Sequence, residues 1–203
     1  MMIDISQEVF SCRVYPGDPK PERKVFSSIA AGDVCNVTAL SMCAHNGTHV
    51  DAPCHFIEGG KAIDELPLEI FVGDCYLARH EGDVTAADAE AIMLRAKAAG
   101  AAERILIGGK AVITAEAARI FAAEKIKLIG NESQTVGPED APMEVHLILL
   151  GAEVVLLEGI VLTGIEEGRY HLNAAPLNLS QSDGSPCRAY LSREITRKLV
   201  YNS

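Results

Sequence analysis

The chain opens on short stretches mixing apolar and polar residues between turn-forming clusters, then changes to strand-length apolar runs separated by helical periodicity. Alternation over a few residues suits a half-buried strand, because successive side chains point to opposite faces. Residues 2–10 read as a first strand, and residues 24–30 and 34–44 as two more, joined by Ala31-Gly32-Asp33. Between the first two lies Tyr15-Pro16-Gly17-Asp18-Pro19, a turn cluster whose prolines restrict the backbone. The third strand runs into the stretch His45 to Phe56. A loop at Glu58-Gly59-Gly60-Lys61 follows, then a strand over residues 70–79 with Val72, Cys75, Tyr76 and Leu77 supplying bulk.

From residue 85 the period changes. Thr85 is placed to cap a helix, with Asp88 three residues on as a variant of the capping box. The Ala-rich residues 86–99 have high helix propensity and stop at Gly100. Arg104 to Gly109 is a short buried strand, Thr114 caps a second helix to about Glu124, and Lys127 to Gly130 is the next strand. Such alternation suggests a βαβ unit with parallel pairing. Gly108-Gly109 reads as a turn, since neither a G-x-G-x-x-G nor a Walker spacing accompanies it.

Residues 131–142 form a polar surface loop after a strand end, a common place for function. Met143 to Leu150 is a short helix ending at Gly151, and Val154 to Leu157 is a buried strand that leads into Glu158-Gly159. Tyr170 to Leu179 and Cys187 to Ser192 read as two strands around Asp183-Gly184-Ser185-Pro186. No repeat or linker interrupts the chain, so the expectation is one mixed α/β domain over residues 1–203.

His45-Asn46-Gly47-Thr48-His49-Val50-Asp51-Ala52-Pro53-Cys54-His55-Phe56 holds three of the six histidines. Gly47 and Pro53 argue against a helix. Read as extended chain, it points His45, His49, Asp51 and His55 to one face. Three imidazoles and a carboxylate make a poor core and a good metal nest, because unpaired polar groups cost stability unless they bind something. A lone His-x-x-x-His would carry little weight; four donors of one parity carry more. Later in the chain stand His146 and Glu158, each with an ordinary explanation when taken alone. Glu158 ends an apolar run, where a carboxylate must escape to water or find a cation.

Composition narrows the field. The apolar fraction of 48% supports a substantial core, and a net charge of −10 without basic blocks weighs against nucleic acid and anionic membranes. The run Val145 to Leu162 is apolar enough to suggest a membrane span, but His146, Glu153, Glu158 and two glycines favour a buried helix and strand. The N-terminus lacks the basic and long apolar parts of a signal peptide, and Cys12, Cys35, Cys43, Cys54, Cys75 and Cys187 form no C-x-x-C pair. Reduced thiols in a cytoplasmic protein are expected.

His45-x-Gly47-Thr48-His49-x-Asp51-x-Pro53-x-His55-Phe56 resembles the signature of the cyclase-type metal hydrolases, the family of bacterial kynurenine formamidase (arylformamidase) and isatin hydrolase. Tyr15-Pro16-Gly17-Asp18 is similar to the family's early substrate loop. His146 and Glu158 fall where the formamidases place later ligands. Ala175-Pro176-Leu177 and Gly184-Ser185-Pro186-Cys187-Arg188-Ala189 resemble its C-terminal strands, so the resemblance covers most of the chain.

The resemblance implies a single mixed-sheet α/β domain of the swivelling β/β/α type, and a homodimer. It implies a first ion on His45, His49 and Asp51, and a second on His146 with Asp51 and Glu158 bridging. Isatin hydrolase-like members imply one ion, and both counts stay open. His55 would be the acid/base residue and Tyr15 a substrate contact. Zn²⁺ comes first and Mn²⁺ second, since imidazole and carboxylate donors suit several divalent metals. The implied reaction is hydrolysis of an amide, cyclic amide or ester, or of a lactone, by metal-activated water. Two departures stand out: Asn131-Glu132-Ser133 where the formamidases carry Asp-Ser, and Tyr15 where they favour tryptophan. A metal- or ligand-binding member without turnover and a thiol redox protein using Cys43 or Cys54 are the rival classes.

Overall fold

The computed structural model describes residues 1–193, so the last residues of the expected 1–203 domain lie outside it. In chain order the strands and helices are β1 (Met2–Asp4), β2 (Glu22–Ser27), β3 (Val37–Ser41), β4 (His49–Asp51), β5 (Val72–Arg79), β6 (Gly82–Val84), α1 (Ala86–Ala98), β7 (Arg104–Gly108) and β8 (Ala111–Ile113). They continue with α2 (Ala115–Ala123), β9 (Leu128–Asn131), α3 (Met143–Gly151), β10 (Val155–Glu158), β11 (Gly168–Asn173), β12 (Gly184–Pro186) and β13 (Tyr190–Ser192).

Among the described residues nine strands form one mixed sheet in the order β1-β13-β11-β5-β7-β9-β10-β4-β12. The centre, β5-β7-β9-β10, is parallel, as the βαβ alternation predicts, and the flanking pairs are antiparallel. Central parallel strands are covered on both faces, which is why they read as continuous apolar runs. Tyr76, Ala78, Ile105, Ile107, Ile129 and Leu156 pack towards Ile92, Phe121 and Leu149 of the three helices. The alternate residues Cys75, Leu77, Leu106, Val155 and Leu157 join Ile5, Val50, Phe71 and Leu191 on the other face. Thr85 and Asp88 make the expected capping box on α1, and Thr114 caps α2. The apolar run from residue 145 is a helix and a strand; among the described residues no helix is long and apolar enough to cross a membrane.

Several expected strands are shorter, for local polar reasons. The first ends at Asp4, because Gln7 N donates to Thr48 Oγ1 and the Glu8 carboxylate caps a short turn at Val9–Ser11. The strand over 24–30 stops at Ser27, where Asp33 captures Ser28 N and a turn at Ile29–Ala31 begins. The strand over 34–44 is confined to Val37–Ser41, and Cys43 N donates to the Asn46 side chain. Strand β11 stops at Asn173, short of Leu179, and β13 spans only Tyr190–Ser192. Gly184–Pro186, expected to be a connection, is the edge strand β12, a position that tolerates proline.

Candidate metal centre

Strand β4 lies between β10 and β12, antiparallel to both. Its pairing with β10 sets Glu158 opposite His49 and Leu156 opposite Asp51. Leu156 packs with the helices while Val50 packs on the other face, so His49, Asp51 and Glu158 face α3. Residue His146 comes down from α3 to meet them. All four are at most 3% exposed.

The extended-stretch expectation needs correction: only His49–Asp51 is strand. His45 and His55 reach the site by turns. Gly47 sits at φ +68°, a left-handed conformation that glycine adopts without strain, and His55 ends a turn at Pro53–His55. The outcome still gathers the group. The rings of His45 and His55 stack with centroids 4.2 Å apart, and His45 meets His49 edge-on at 5.1 Å.

Hydrogen bonds orient the inner donors. His49 Nδ1 donates to Gly47 O at 3.0 Å and His146 Nδ1 to Pro142 O at 2.9 Å, which turns both Nε2 lone pairs inward. His49 Nε2 is 3.4 Å from Asp51 Oδ1 and 3.5 Å from Glu158 Oε2; His146 Nε2 is 3.3 Å from Glu158 Oε1 and 3.8 Å from Asp51 Oδ2. Two ligands sharing a tetrahedral ion at about 2.0–2.2 Å stand roughly 3.4 Å apart. The ligating atoms of His49, Asp51 and Glu158 all lie within 4.8 Å of one another. Asp51 Oδ2 is buried and has no hydrogen-bond partner among the described residues. An orphaned carboxylate oxygen facing the His146 imidazole nitrogen is what a cation would satisfy. The donor set therefore fits a divalent metal.

His45 fits less directly. Its Nδ1 lies 2.8 Å from Asp51 Oδ1 and its Nε2 3.0 Å from Asp183 Oδ2, so either nitrogen would exchange a carboxylate for the ion. Asp183 also lies 3.3 Å from His55 Nδ1.

The electrostatics agree with a cation-seeking site. Burial pushes the His49 imidazole down, yet the Asp51 and Glu158 carboxylates together outweigh it and hold His49 well above its ordinary value. Burial likewise opposes charge on His146 and His45, and their neighbouring carboxylates raise both. Asp51 is buried, which alone would raise it, but His45 and His49 draw it well below the usual carboxylate range. His55 differs: burial holds it below its ordinary value, so it is neutral near pH 7.

The site opens into a cavity of about 220 Å³ walled by Tyr15, Asp18, His55, Phe56, Gln134 and Pro142. A larger open groove of about 710 Å³ beside Asp74 and Arg169 is built on an exposed ion pair, so size alone does not mark the site. The Tyr15 hydroxyl donates to Glu139 O at 3.1 Å, and Arg13 pairs with the Glu139 carboxylate at 2.7 Å. Asn131 and Glu132 do not line the cavity. Asn131 is buried and donates to Ala111 O, while the Glu132 carboxylate accepts from Gly109 N and Leu162 N.

Asp183, Gln134 and Thr135 were not singled out by sequence, and Phe56 entered only as the last residue of the histidine signature. Asp183 is far from the histidines along the chain, and its D-G-S-P setting signals only a turn.

The Cyclase family model matches residues 3–138. The chain belongs to the cyclase family. A kynurenine formamidase of Salinibacter ruber (strain DSM 13855 / M31) is 31% identical over 210 residues, covering 94% of this chain and 96% of that protein. Among solved structures, one described as a predicted metal-dependent hydrolase from Bacillus stearothermophilus superposes with a TM-score of 0.76 at 26% identity, covering 94% of this chain and 97% of that one. Isatin hydrolase A from Labrenzia aggregata gives a TM-score of 0.77 at 21% identity over 94% and 93% of the two chains, which shows a shared cyclase fold.

Proposed function

We propose that this cyclase-family chain is a metal-dependent hydrolase that opens an amide, cyclic amide or ester with water, most like kynurenine formamidase. The observation that carries the reading is the unpartnered Asp51 Oδ2 in a buried nest towards which His49 and His146 turn their Nε2 atoms. His45, His49, Asp51, His146 and Glu158 would hold one or two divalent ions, Zn²⁺ first and Mn²⁺ second. A bound divalent ion brings the pKa of water towards neutrality and polarises a carbonyl.

The side chains supply the rest. His55 is neutral near pH 7 and borders the cavity, so it can take a proton from water and return it to the leaving nitrogen or oxygen. Tyr15 and Phe56 line the cavity where an aromatic substrate could pack, and Tyr15 keeps its hydroxyl on Glu139 O. A cavity of about 220 Å³ suits a small molecule. The Asn131-Glu132 difference leaves the cavity wall alone, which supports turnover over mere binding.

A single domain and a homodimer belong to the same reading. One nine-stranded sheet running from β1 to β13 supports the first. For the second, the β2–β3 hairpin exposes Val25, Phe26, Ile29, Val34, Val37 and Leu40, and an isolated hairpin is marginal in water without cover.

The test is to strip the protein with chelator, reload it with Zn²⁺ or Mn²⁺, and assay N-formylkynurenine, isatin, a lactone and simple aryl esters. Metal-dependent cleavage of the formamide supports the reading. Cleavage of none of them by the loaded protein overturns it.

A further inference from the structure

We propose that Asp183 is a positioning residue that holds the His55 ring with its proton on Nδ1, leaving Nε2 as the atom that exchanges protons in the cavity. The proposal rests on the hydrolase reading above for its catalytic consequence, but not for its geometry.

The backbone brings the two residues together independently of their side chains. Asp183 O accepts from Ala52 N at 2.8 Å, and Ala52 O accepts in turn from His55 N at 3.0 Å. Ser182 O accepts from Ile63 N at 2.9 Å, on the far side of the same loop. The segment before β12 is thereby fastened to the turn that carries His55. On that frame Asp183 Oδ2 lies 3.3 Å from His55 Nδ1. His45, stacked on His55 at 4.2 Å, limits rotation of the ring from one side, and Phe56 meets it edge-on at 4.7 Å.

The tautomer follows from elementary hydrogen bonding. A carboxylate only accepts, and neutral imidazole carries one N–H. The ring nitrogen that faces Asp183 therefore holds the proton, and the other is left with its lone pair. No protein atom among the described residues engages His55 Nε2 in a hydrogen bond, so that lone pair is free for water or a leaving group. A carboxylate that orients the ring of an acid/base histidine is a recurrent arrangement on unrelated folds.

Asp183 also touches His45 Nε2 at 3.0 Å, and this sets the rival role: orienting a metal ligand. The two roles separate experimentally. In Asp183→Ala, kcat is expected to fall by no more than the contribution of a positioned acid/base group, about 10²–10⁴-fold. KM and metal content are expected to stay within about twofold of wild type. Asp183→Glu, which keeps a carboxylate that only accepts, is expected to recover part of kcat. Loss of metal with kcat per bound ion unchanged would overturn the proposal in favour of the His45 role. The second readout needs no turnover: ¹⁵N NMR of histidine-labelled, zinc-loaded protein. His55 is expected to show a protonated Nδ1 and unprotonated Nε2 in wild type, and to lose that preference in Asp183→Ala. Wild-type His55 with its proton on Nε2 would overturn the proposal even in an active enzyme. An inactive wild type with the proton on Nδ1 would count against the hydrolase reading and leave the Asp183 contact standing.

Discussion

Glu158 ends β10 directly opposite His49 of β4, and their side chains approach to 3.5 Å in the interior. One cross-strand register thus brings together donors far apart along the chain. A slip of one residue would turn Glu158 to the other face of the sheet. Gly159, the next residue, locks the register from behind, since its carbonyl accepts from Thr48 Oγ1 at 2.6 Å and Gln7 Nε2 at 2.8 Å.

Gly159→Ala should therefore damage fold and site together. Gly159 sits at φ +65°, and an added Cβ would meet Gln134 Oε1 and come within 2.5 Å of Gly47 O. Gly47 O is the acceptor that orients His49. A loss of roughly 1–3 kcal/mol is expected from the strained backbone. Chemical denaturation of the metal-free variant would show it, and an unchanged midpoint would contradict the packing described.

His55→Ala and His49→Ala should separate catalysis from metal binding. His55→Ala is expected to retain metal and lose about 10²–10⁴ in kcat, the usual range for an acid/base group. His49→Ala should lose both. Metal analysis beside the assay decides, and release of metal by His55→Ala would reverse the role given to it.

How far the site could be read from sequence differs from residue to residue. His49 and Asp51 share a face because they are two apart on a real strand, as parity predicts. His45 and His55 arrive by turns that Asn46 and Pro53 help to create. Asn46 accepts from Cys43 N and donates to Pro19 O, contacts with no sequence signal. The parallel core was legible because strands covered on both faces are uniformly apolar. Asp183 and edge strand β12 were not, since three residues ending in proline carry no strand pattern.

Metal-free protein should lose stability as pH rises. His45, His49 and His146 have folded pKa values raised above the unfolded reference of about 6.5. Their contribution is fully present below that value and is lost as pH climbs through the raised folded values. His55, held low by burial, works in the opposite sense. Metal binding requires neutral imidazoles, so the stabilisation by added Zn²⁺ should grow over the same range. Melting temperatures with chelator and with zinc at several pH values test this, and parallel curves would contradict it.

The thiols should prove dispensable. Cys75 is fully buried, and burial pushes its thiol up to about 12, so it should resist alkylation in the native protein while exposed Cys35 reacts. Cys43 and Cys54 are also raised by burial. The double variant Cys43→Ser, Cys54→Ser is expected to keep its hydrolytic rate; its inactivity would revive a redox role.

Phe26→Asp should shift the chain towards monomer in sedimentation. Phe26 is 77% exposed on a hairpin whose apolar side chains have no cover among the described residues. A dimer unaffected by this change would place the interface elsewhere.

The central claim is that the Asp51 carboxylate exists to hold a cation. Titration of chelator-stripped protein with Zn²⁺, followed by calorimetry, tests it most directly. Wild type should bind about one or two ions per chain, and Asp51→Asn should bind at least about tenfold more weakly while remaining folded. Equal zinc binding by the two proteins would contradict the account.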